Sequence, residues 1–302
     1  MQDELEIGSL GRRLVQRFLQ RRPAAVVLEA VEGRVVAVAS GKGGTGKSFL
    51  VTNLAVALHR AGRRVCVVDC DFGLGNAHLL FGVNPRLSMQ HLLGGIAPVP
   101  EVLSPTPHGP TLIAGGSGIS SLAELEVRHF ELLASSLGTI AAAHDVVLLD
   151  CAAGISTQSL LTTLCAEHLV LVTNPEIAAL TDAYALIKCL ARQPRLPDIH
   201  LVVNRVLEAG QGRPTFERLA EVTRRFVGRS LHYIGEVAEN PAVSHRRLGQ
   251  PPLVVSHPEC SEAASIQAIM HGLELAIGPL VATVPPLGQG VERRLMRLLE
   301  ER

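Results

Sequence analysis

The sequence predicts an α/β fold, a doubly wound and mostly parallel sheet with helices on both faces. Two observations support this prediction. Short apolar runs alternate with segments of helical periodicity, which is the pattern of parallel strands covered on both sides. A glycine-rich loop also joins the first apolar run to the first helical segment and matches G-x-x-x-x-G-K-[ST], a motif that forms between a strand and a helix.

The predicted strands are short apolar runs, each ending on a polar residue. They cover residues 34–40, 64–69, 145–150, 168–173 and 199–204. Helices are predicted over residues 47–61, 122–143, 176–192 and 215–226, and residues 98–110 form a Pro-rich loop with little regular structure. Because ligands bind at the carboxyl ends of parallel strands, the polar residues that end the runs are expected along one ligand-binding edge.

Composition narrows the function classes. The chain has 302 residues, 47% of them hydrophobic and 3% aromatic, and its formal net charge is zero. The balance argues against binding of nucleic acid or anionic lipid over the whole surface. The six cysteines form no C-x-x-C pair and are interpreted as buried reduced thiols, and the twelve histidines as structural or surface residues.

Three segments are predicted along the chain. Residues 1–33 form a basic appendage, interpreted as an amphipathic helix packed on its own domain or as a partner-binding arm, and residues 34–284 form the main domain. Residues 285–302 form a linker and an amphipathic helix whose residues 291–302 either lie on a membrane surface or dock on the protein itself. The sequence shows no signal peptide and no spanning segment, so we expect a cytoplasmic protein, with peripheral contact to the inner face of the cell membrane as the alternative.

The glycine-rich loop predicts phosphate binding. Its glycines let the backbone approach an anion, and the backbone N–H groups at the start of the next helix point toward it. The lysine neutralises the β- and γ-phosphates, and the serine hydroxyl is suited to ligate Mg²⁺. The candidate nucleotide-binding residues are Gly41, Gly43, Gly44, Thr45, Gly46, Lys47 and Ser48.

Carboxylates follow two of the predicted strands. Asp69 and Asp71 end the second run, and Asp150 ends the third in the form of a Walker B strand. Carboxylates beside a nucleotide-bound cation hold Mg²⁺ and orient an attacking water. The candidate metal ligands are Ser48, Asp71 and Asp150; helix capping is the alternative role for Asp71.

A second lysine in the loop points to a family. With Lys42, the loop resembles the deviant Walker A motif K-G-G-x-G-K-[ST] of the MinD/ParA-type ATPases. The resemblance implies a homodimer with ATP between its subunits, in which Lys42 contacts the partner's nucleotide; an ordinary solvated lysine is the alternative. Residues 71–76 resemble switch I of that family, so Asp71 would position the hydrolytic water, Asp69 would support the metal shell, and Asn76 would sense the γ-phosphate or the partner.

The resemblance extends downstream. Residues 173–176 read T-N-P-E, and Asn204 with Arg205 resembles the family's adenine site. Ala152 replaces the proline that usually follows the Walker B strand in the family, which favours a more mobile loop there. Ala238 and Asn240 depart from the usual residues of a downstream segment, which puts the details of base recognition in doubt. The implied activity is slow, Mg²⁺-dependent ATP hydrolysis with Lys42, Lys47 and Asp71 as catalytic residues, and the implied ligands are ATP and Mg²⁺. A scaffold that binds nucleotide without hydrolysing it is another interpretation.

Several segments are most similar to the FlhG/FleN (YlxH) branch, which regulates flagellar number. They are residues 71–82, 112–119 and 181–188. The resemblance implies a dimerisation switch whose partners include an FlhF-like GTPase, the flagellar switch or a transcription regulator, although the D-Q-A-x-x-L-R element of that branch is not found at this N-terminus. The alternative is a ParA-like DNA- or cargo-positioning ATPase, with a basic stripe at Arg224, Arg225, Arg229, Arg246 and Arg247.

Overall fold

The computed structural model describes residues 33–73, 75–116, 127–193, 196–240, 243 and 249–278. Its strands are β1 Arg34–Ala39, β2 Val65–Cys70, β3 Ser104–Pro105, β4 Thr111–Ile113, β5 Val146–Cys151, β6 His168–Thr173, β7 Asp198–Val206 and β8 His232–Ala238. Its helices are α1 Lys47–Arg60, α2 Ala77–Phe81, α3 Met89–Leu93, α4 Val99–Val102, α5 Val127–Ala143, α6 Thr157–Leu164, α7 Ile177–Leu190, α8 Gly212–Val227, α9 Leu253–Ser256 and α10 Ser261–Ile277.

The strands form one sheet in the order β3-β4-β2-β5-β1-β6-β7-β8. Every neighbouring pair is parallel except β3 and β4 at one edge. The predicted α/β fold with a mostly parallel sheet is therefore confirmed. The five strands expected from the sequence all form, with ends that differ by one or two residues.

Two apolar cores lie on opposite faces of the sheet. Successive residues of a strand point to opposite faces, and in β1 Val35 and Ala37 join one core whereas Val36 and Val38 join the other. Helices α3 to α8 cover the first face, and α1, α2, α9 and α10 cover the second. Strands β2 and β5 are buried along their whole length, which explains their unbroken apolar sequence.

The structure corrects the sequence expectation in two places. Residues 98–110, expected to have little regular structure, contain helix α4 and the two-residue strand β3, which pairs antiparallel with β4. The sequence also did not reveal β4 and β8. Strand β4 has only three residues, and the edge strand β8 is only partly buried and carries no continuous apolar run. Several predictions lie outside the described residues, including those for residues 1–32 and 279–302 and for Arg246 and Arg247.

A row of three histidines crosses the amino end of the sheet. His168, His200 and His232 lie on β6, β7 and β8, with ring centroids 5.4 Å and 5.6 Å apart. The His168 Nδ1 and His200 Nε2 atoms are 3.2 Å apart. Burial, together with repulsion from its two histidine neighbours, lowers the pKa of His200 to about 4. His168 and His200 are therefore neutral at physiological pH, and sequence spacing did not reveal the row.

The structure also bears on two predictions made from the sequence, buried reduced cysteines and the lack of a membrane-spanning segment. Cys66, Cys70, Cys151 and Cys165 are buried and form no disulfide with one another. Burial raises the pKa of Cys66 to about 12 and that of Cys151 to about 11, and it raises the pKa of Cys70 as well. These three thiols are therefore protonated and unreactive. Among the helices that the structure describes, none has the length and apolar character needed to cross a membrane.

Candidate functional site

The glycine-rich loop connects β1 to α1 at the carboxyl end of the sheet, as predicted. Gly46 is the N-cap residue of α1, adopts a left-handed backbone conformation (φ 86°) and forms no side-chain capping hydrogen bond. A Cβ at Gly46 would lie 2.1 Å from the Asn204 Nδ2 atom, and a Cβ at Gly41 would lie 2.2 Å from the Asp182 backbone. Glycine is thus required on both sides of the loop. Gly43 and Gly44 are exposed between them, and the first N–H groups of α1 face an anion site.

Lys47 lies beneath the loop as a buried cation. Its Nζ atom is 2.6 Å from the Asp150 Oδ1 atom and 3.4 Å from the Ser48 hydroxyl. Burial by itself would lower the pKa of Lys47, but the Asp150 carboxylate outweighs that effect and the pKa is raised. Lys47 is therefore fully charged, and the structure unites it with two of the predicted metal ligands.

A second buried carboxylate lies beside this ion pair. Asp69 and Asp150 occupy paired positions on the adjacent strands β2 and β5, and both are essentially inaccessible to solvent. The Asp69 carboxylate accepts the backbone N–H groups of Asp71 and Ala77, each at 3.1 Å. Burial and repulsion from Asp150 raise the pKa of Asp69 to about 7. Asp69 therefore holds the segment that leads from β2 into α2.

The other two predicted switch residues lie on that segment. Asp71 follows β2 directly and is partly exposed, whereas Asn76 is exposed and stands one residue before α2 without capping it through its side chain. Helix capping of α2 by Asp71, the alternative interpretation, does not describe this arrangement, because the N-cap position is Asn76 and the carboxylate that binds the Ala77 N–H group is that of Asp69.

Asn204 and Arg205 reach the loop from the end of β7. The Asn204 amide donates a hydrogen bond to the Thr45 carbonyl oxygen at 2.7 Å, and the Arg205 guanidinium donates one to the Gly44 carbonyl oxygen at 3.3 Å. The pairing of β7 with β8 shifts register here, and Arg205 is the one non-glycine residue in the described chain with a positive φ, at 58°. Such a bulge redirects side chains, and here it turns both toward the phosphate loop.

Lys42 makes its contact on the exposed side of the loop. Its Nζ atom is 2.5 Å from the Glu176 Oε2 atom of the same chain. Glu176 precedes α7, and the next residue, Ile177, is 83% exposed. Ile155, in the loop after β5, is 44% exposed. Lys42 thus differs from Lys47: it lies at the protein surface, near two exposed aliphatic side chains.

A cavity of about 370 Å³ opens beside the loop. Asn204 and Arg205 line one side, and residues after β8, including Glu239 and Asn240, line another. Its remaining walls come mainly from α1 and α2: Phe49, Thr52, Asn53, Leu79 and Leu80. A concave site with apolar walls and a few convergent polar groups is suited to a small ligand such as a nucleobase.

These groups fit a magnesium-bound nucleotide. The loop presents backbone N–H groups to phosphates, and Lys47 supplies a buried positive charge. Ser48 and Asp150 provide oxygen ligands of the kind that Mg²⁺ prefers, and Asp71, the third predicted ligand, directly follows β2 at the same edge. The adjoining cavity is large enough to accept a base. Phosphate, cation and base would therefore each meet a complementary part of the same edge.

The profile of the CobQ/CobB/MinD/ParA nucleotide-binding domain family matches residues 36–249. The chain belongs to this family. FleN of Pseudomonas aeruginosa, an antiactivator, is 31% identical over 241 residues, which cover 80% of this chain and 86% of FleN. The flagellum site-determining protein YlxH of Helicobacter pylori is 34% identical over 217 residues, covering 70% of this chain and 72% of YlxH.

Solved MinD structures share the fold. The cell division ATPase MinD of Pyrococcus furiosus superposes with a TM-score of 0.69 at 28% identity, covering 81% of this chain and 99% of that protein. MinD of Pyrococcus horikoshii, solved with Mg-ADP, gives 0.69 at 25% identity, with coverages of 82% and 99%. Family membership and geometry agree that the edge at the phosphate loop binds a nucleotide.

Sequence reasoning did not assign two acidic residues of this site. Glu176 pairs with Lys42, and Glu239 pairs with Arg205 at 2.6 Å. Glu176 belongs to the T-N-P-E segment, whose resemblance to the family placed it near the site but did not predict its ion pair with Lys42. Glu239 lies 34 positions from Arg205, beyond a strand that the sequence did not reveal, so no local pattern could connect them.

Proposed function

We propose that this protein is an ATPase that switches between a monomer and an ATP-bound homodimer and helps to set the number or placement of flagella. The observation that carries the proposal is the position of Lys42. A lysine that served only its own subunit's phosphates would be expected inside the loop, where Lys47 already lies. Lys42 instead lies at the surface, paired with Glu176.

The surface around Lys42 supports a second copy as its target. Ile177 is 83% exposed and Ile155 is 44% exposed, both at the carboxyl end of the sheet. Exposed aliphatic side chains around a charge are typical of interfaces that form reversibly. Because a twofold dimer uses the same patch on both subunits, each Lys42 would leave its Glu176 and reach the nucleotide of the other subunit.

The hydrolytic chemistry then divides among residues of this edge. Lys47 neutralises phosphate charge from below, and the loop N–H groups bind the phosphate oxygens. Asp71, directly after β2, would orient a water molecule, and Asp69 fixes the backbone of that segment. Ser48 and Asp150 would hold Mg²⁺, which supplies charge stabilisation when bound. Lys42 from the partner would add a further positive charge beside the phosphates, so that hydrolysis depends on dimerisation.

The names of two relatives suggest the biological setting. FleN is an antiactivator and YlxH determines the flagellum site. We infer partners of the same kind for this chain: an FlhF-like GTPase, the flagellar switch or a transcription regulator. The ATP-bound dimer would be the state that binds them, because dimerisation creates a surface that the monomer lacks.

Lys42→Ala tests the switch. The wild-type chain is expected to double its mass in ATP and Mg²⁺, measured by light scattering, and to remain monomeric in ADP. Lys42→Ala should bind a fluorescent ATP analogue nearly normally yet stay monomeric, whereas the control Lys188→Ala, on the last turn of α7, should dimerise like wild type. Unchanged ATP-dependent dimerisation of Lys42→Ala would refute the role of Lys42 in trans.

We also propose that residues 291–302 attach the dimer to membranes. Their sequence places Val291, Leu295, Leu298 and Leu299 on one side of a helix with arginines around them. A single short helix binds weakly, and two in a dimer bind more strongly through avidity. Sedimentation with anionic liposomes should therefore require both ATP and residues 291–302. Equal sedimentation of the chain lacking these residues would contradict this part of the proposal.

A further inference from the structure

Helices α7 and α8 end together at the amino end of the sheet, far from the nucleotide site. Both follow parallel strands and run back along the same face, so their last turns lie side by side. These ends carry five exposed cations: Lys188, Arg192, Arg224, Arg225 and Arg229. Within the described part of the chain, none of the five forms an ion pair.

Exposed apolar side chains accompany these cations. Phe226 is 65% exposed and Val222, one helical turn earlier, is 38% exposed. The Arg225 guanidinium lies 5.2 Å from the centroid of the Phe226 ring. Cations at a helix C-terminus are explained by the helix dipole alone, but an exposed phenylalanine is not. We call the five cations with Val222 and Phe226 the α7–α8 basic surface.

Acidic residues near this surface are few. Glu217 and Glu221 lie on earlier turns of α8, and Asp198 begins β7 at the same end of the sheet. The surface itself combines positive charge with an aromatic ring. Non-specific binding to duplex nucleic acid rests on cations that contact the phosphates, so it accounts for the arginines but not for the phenylalanine. Aromatic and arginine side chains together are characteristic of contacts with polypeptide.

The chain contains a segment of the complementary chemistry. Residues 3–7 read Asp-Glu-Leu-Glu-Ile, so three carboxylates and two aliphatic side chains lie within five residues. The described chain begins at Gly33 beside β1, which also starts at the amino end of the sheet, and Arg34 pairs with Glu167 directly before β6. The 25 residues 8–32 separate the two, and a random-coil chain of that length spans about 25–30 Å. The α7–α8 basic surface, two to three strands away, lies within that reach.

We propose that residues 3–7 dock on the α7–α8 basic surface of the same chain, with their carboxylates facing the arginines and Leu5 or Ile7 on Phe226. A tether of this length gives an effective concentration on the order of 1 mM, so even an affinity of about 0.3 mM keeps the segment docked about three-quarters of the time. The docked segment shields the surface from other polyanions and competes with acidic partner proteins.

The absence of tryptophan from the chain permits a direct test. Phe226→Trp places a single tryptophan on the surface, and acrylamide quenching of its fluorescence measures its exposure. Neutralising the segment in the same full-length chain, with Asp3→Asn, Glu4→Gln and Glu6→Gln, should raise the quenching constant by up to about fourfold, since the docked fraction is lost. Addition of 0.5 M salt shortens the electrostatic screening length to roughly 4 Å. It should raise the quenching constant similarly in the parent, the Phe226→Trp chain that keeps Asp3, Glu4 and Glu6, and should leave the neutralised chain unchanged.

Two controls make the test specific. Neutralising Glu29 and Glu32 in place of Asp3, Glu4 and Glu6 should leave the quenching unchanged. A tryptophan at Leu207, which is 80% exposed at the carboxyl end of the sheet, should not respond to either set of changes. Equal quenching of Trp in the parent and the neutralised chain would overturn the proposal. Protection that grows with protein concentration would also overturn it, because a second copy would then be the occupant.

Discussion

The two ends of the same parallel sheet bury polar side chains in opposite ways. At the carboxyl end the buried groups are charged, with Lys47 paired to Asp150 and Asp69 beside them. At the amino end the buried His200 and the partly buried His168 are neutral, because burial lowers the pKa of both side chains. Burying charge is costly unless it is paired. Buried charges are found at the carboxyl end, where a bound ligand can interact with them.

The two ends therefore respond to pH in opposite directions. The folded-state pKa of Asp69 is raised to about 7, so its contribution to stability is present at low pH and is lost as pH rises from about 4 to about 7. The folded-state pKa of His200 is lowered to about 4, so its contribution is present above pH 6.5 and is lost as pH falls toward 4. Single substitutions separate these opposing effects.

The largest effect is expected at the carboxyl end. Lys47→Met leaves Asp69 and Asp150 buried together without a counter-charge, and removing one partner of a buried ion pair typically costs about 3–5 kcal/mol of unfolding free energy. Urea denaturation at pH 8 should show this loss. At pH 5 the loss should shrink, because Asp69 takes up a proton. The exposed control Lys188→Met should change stability little at either pH. If Lys47→Met lost the same unfolding free energy at pH 8 and at pH 5, the proposed role of Asp69 protonation would be contradicted.

The amino end should show a smaller, purely pH-dependent effect. Protonating His200 in the folded state is opposed by a pKa difference from 6.5 to about 4, which corresponds to at most about 3 kcal/mol. His200→Gln cannot titrate, so its unfolding free energy should fall less between pH 7 and pH 4 than that of wild type. Parallel stability curves for the two proteins would show that the histidine row does not carry this dependence.

Gly46→Ala should have an intermediate effect that reaches function. Gly46 and Gly62 have nearly the same positive φ, 86° and 88°, but only the first would bring a Cβ against Asn204. A left-handed alanine costs about 1–2 kcal/mol in either position. Gly46→Ala should in addition displace the Asn204 amide from the Thr45 carbonyl oxygen and weaken binding of a fluorescent nucleotide. The matched Gly62→Ala should keep wild-type nucleotide affinity; identical affinities would mean that this contact is not needed.

The smallest effect belongs to an exposed ion pair at the amino end. The Arg64 guanidinium lies 2.7 Å from the Asp145 carboxylate but is largely exposed to solvent. Exposed pairs contribute about 0–1 kcal/mol, so Arg64→Ala should lower the unfolding free energy by no more than that. The Arg64 backbone N–H group keeps its bond to Asp145 in the variant. If Arg64→Ala lost as much unfolding free energy as Lys47→Met, the expected difference between buried and exposed ion pairs would be contradicted.

Sequence reasoning reached most of the fold because the central strands are locally unambiguous. Strands β1, β2, β5 and β6 are buried on both faces, so nearly every residue in them is apolar. Strand β8 lies at an edge and is partly exposed, and its mixed sequence carried no such signal. Because parallel strands end at a common edge, the positions of Lys47, Asp69 and Asp150 along the chain were enough to predict that they lie close together.

The remainder of the site depends on contacts that no local pattern records. The bulge at Arg205 turns two side chains of β7 toward the loop, and it arises from pairing with a strand that the sequence did not reveal. The histidine row brings together residues 32 positions apart in the chain. Both features are products of tertiary register, which propensity and periodicity do not specify.

The central claim is that two chains share each hydrolytic site, and mixing two inactive variants tests it most directly. Lys42→Ala lacks the lysine offered to the partner, and Asp71→Ala lacks the residue that orients water in its own site. A mixed dimer keeps one lysine contact across the interface and contains one site with both groups intact, so an equal mixture should hydrolyse ATP clearly faster than either variant alone. A mixture no more active than either variant alone would contradict a site completed by the second copy.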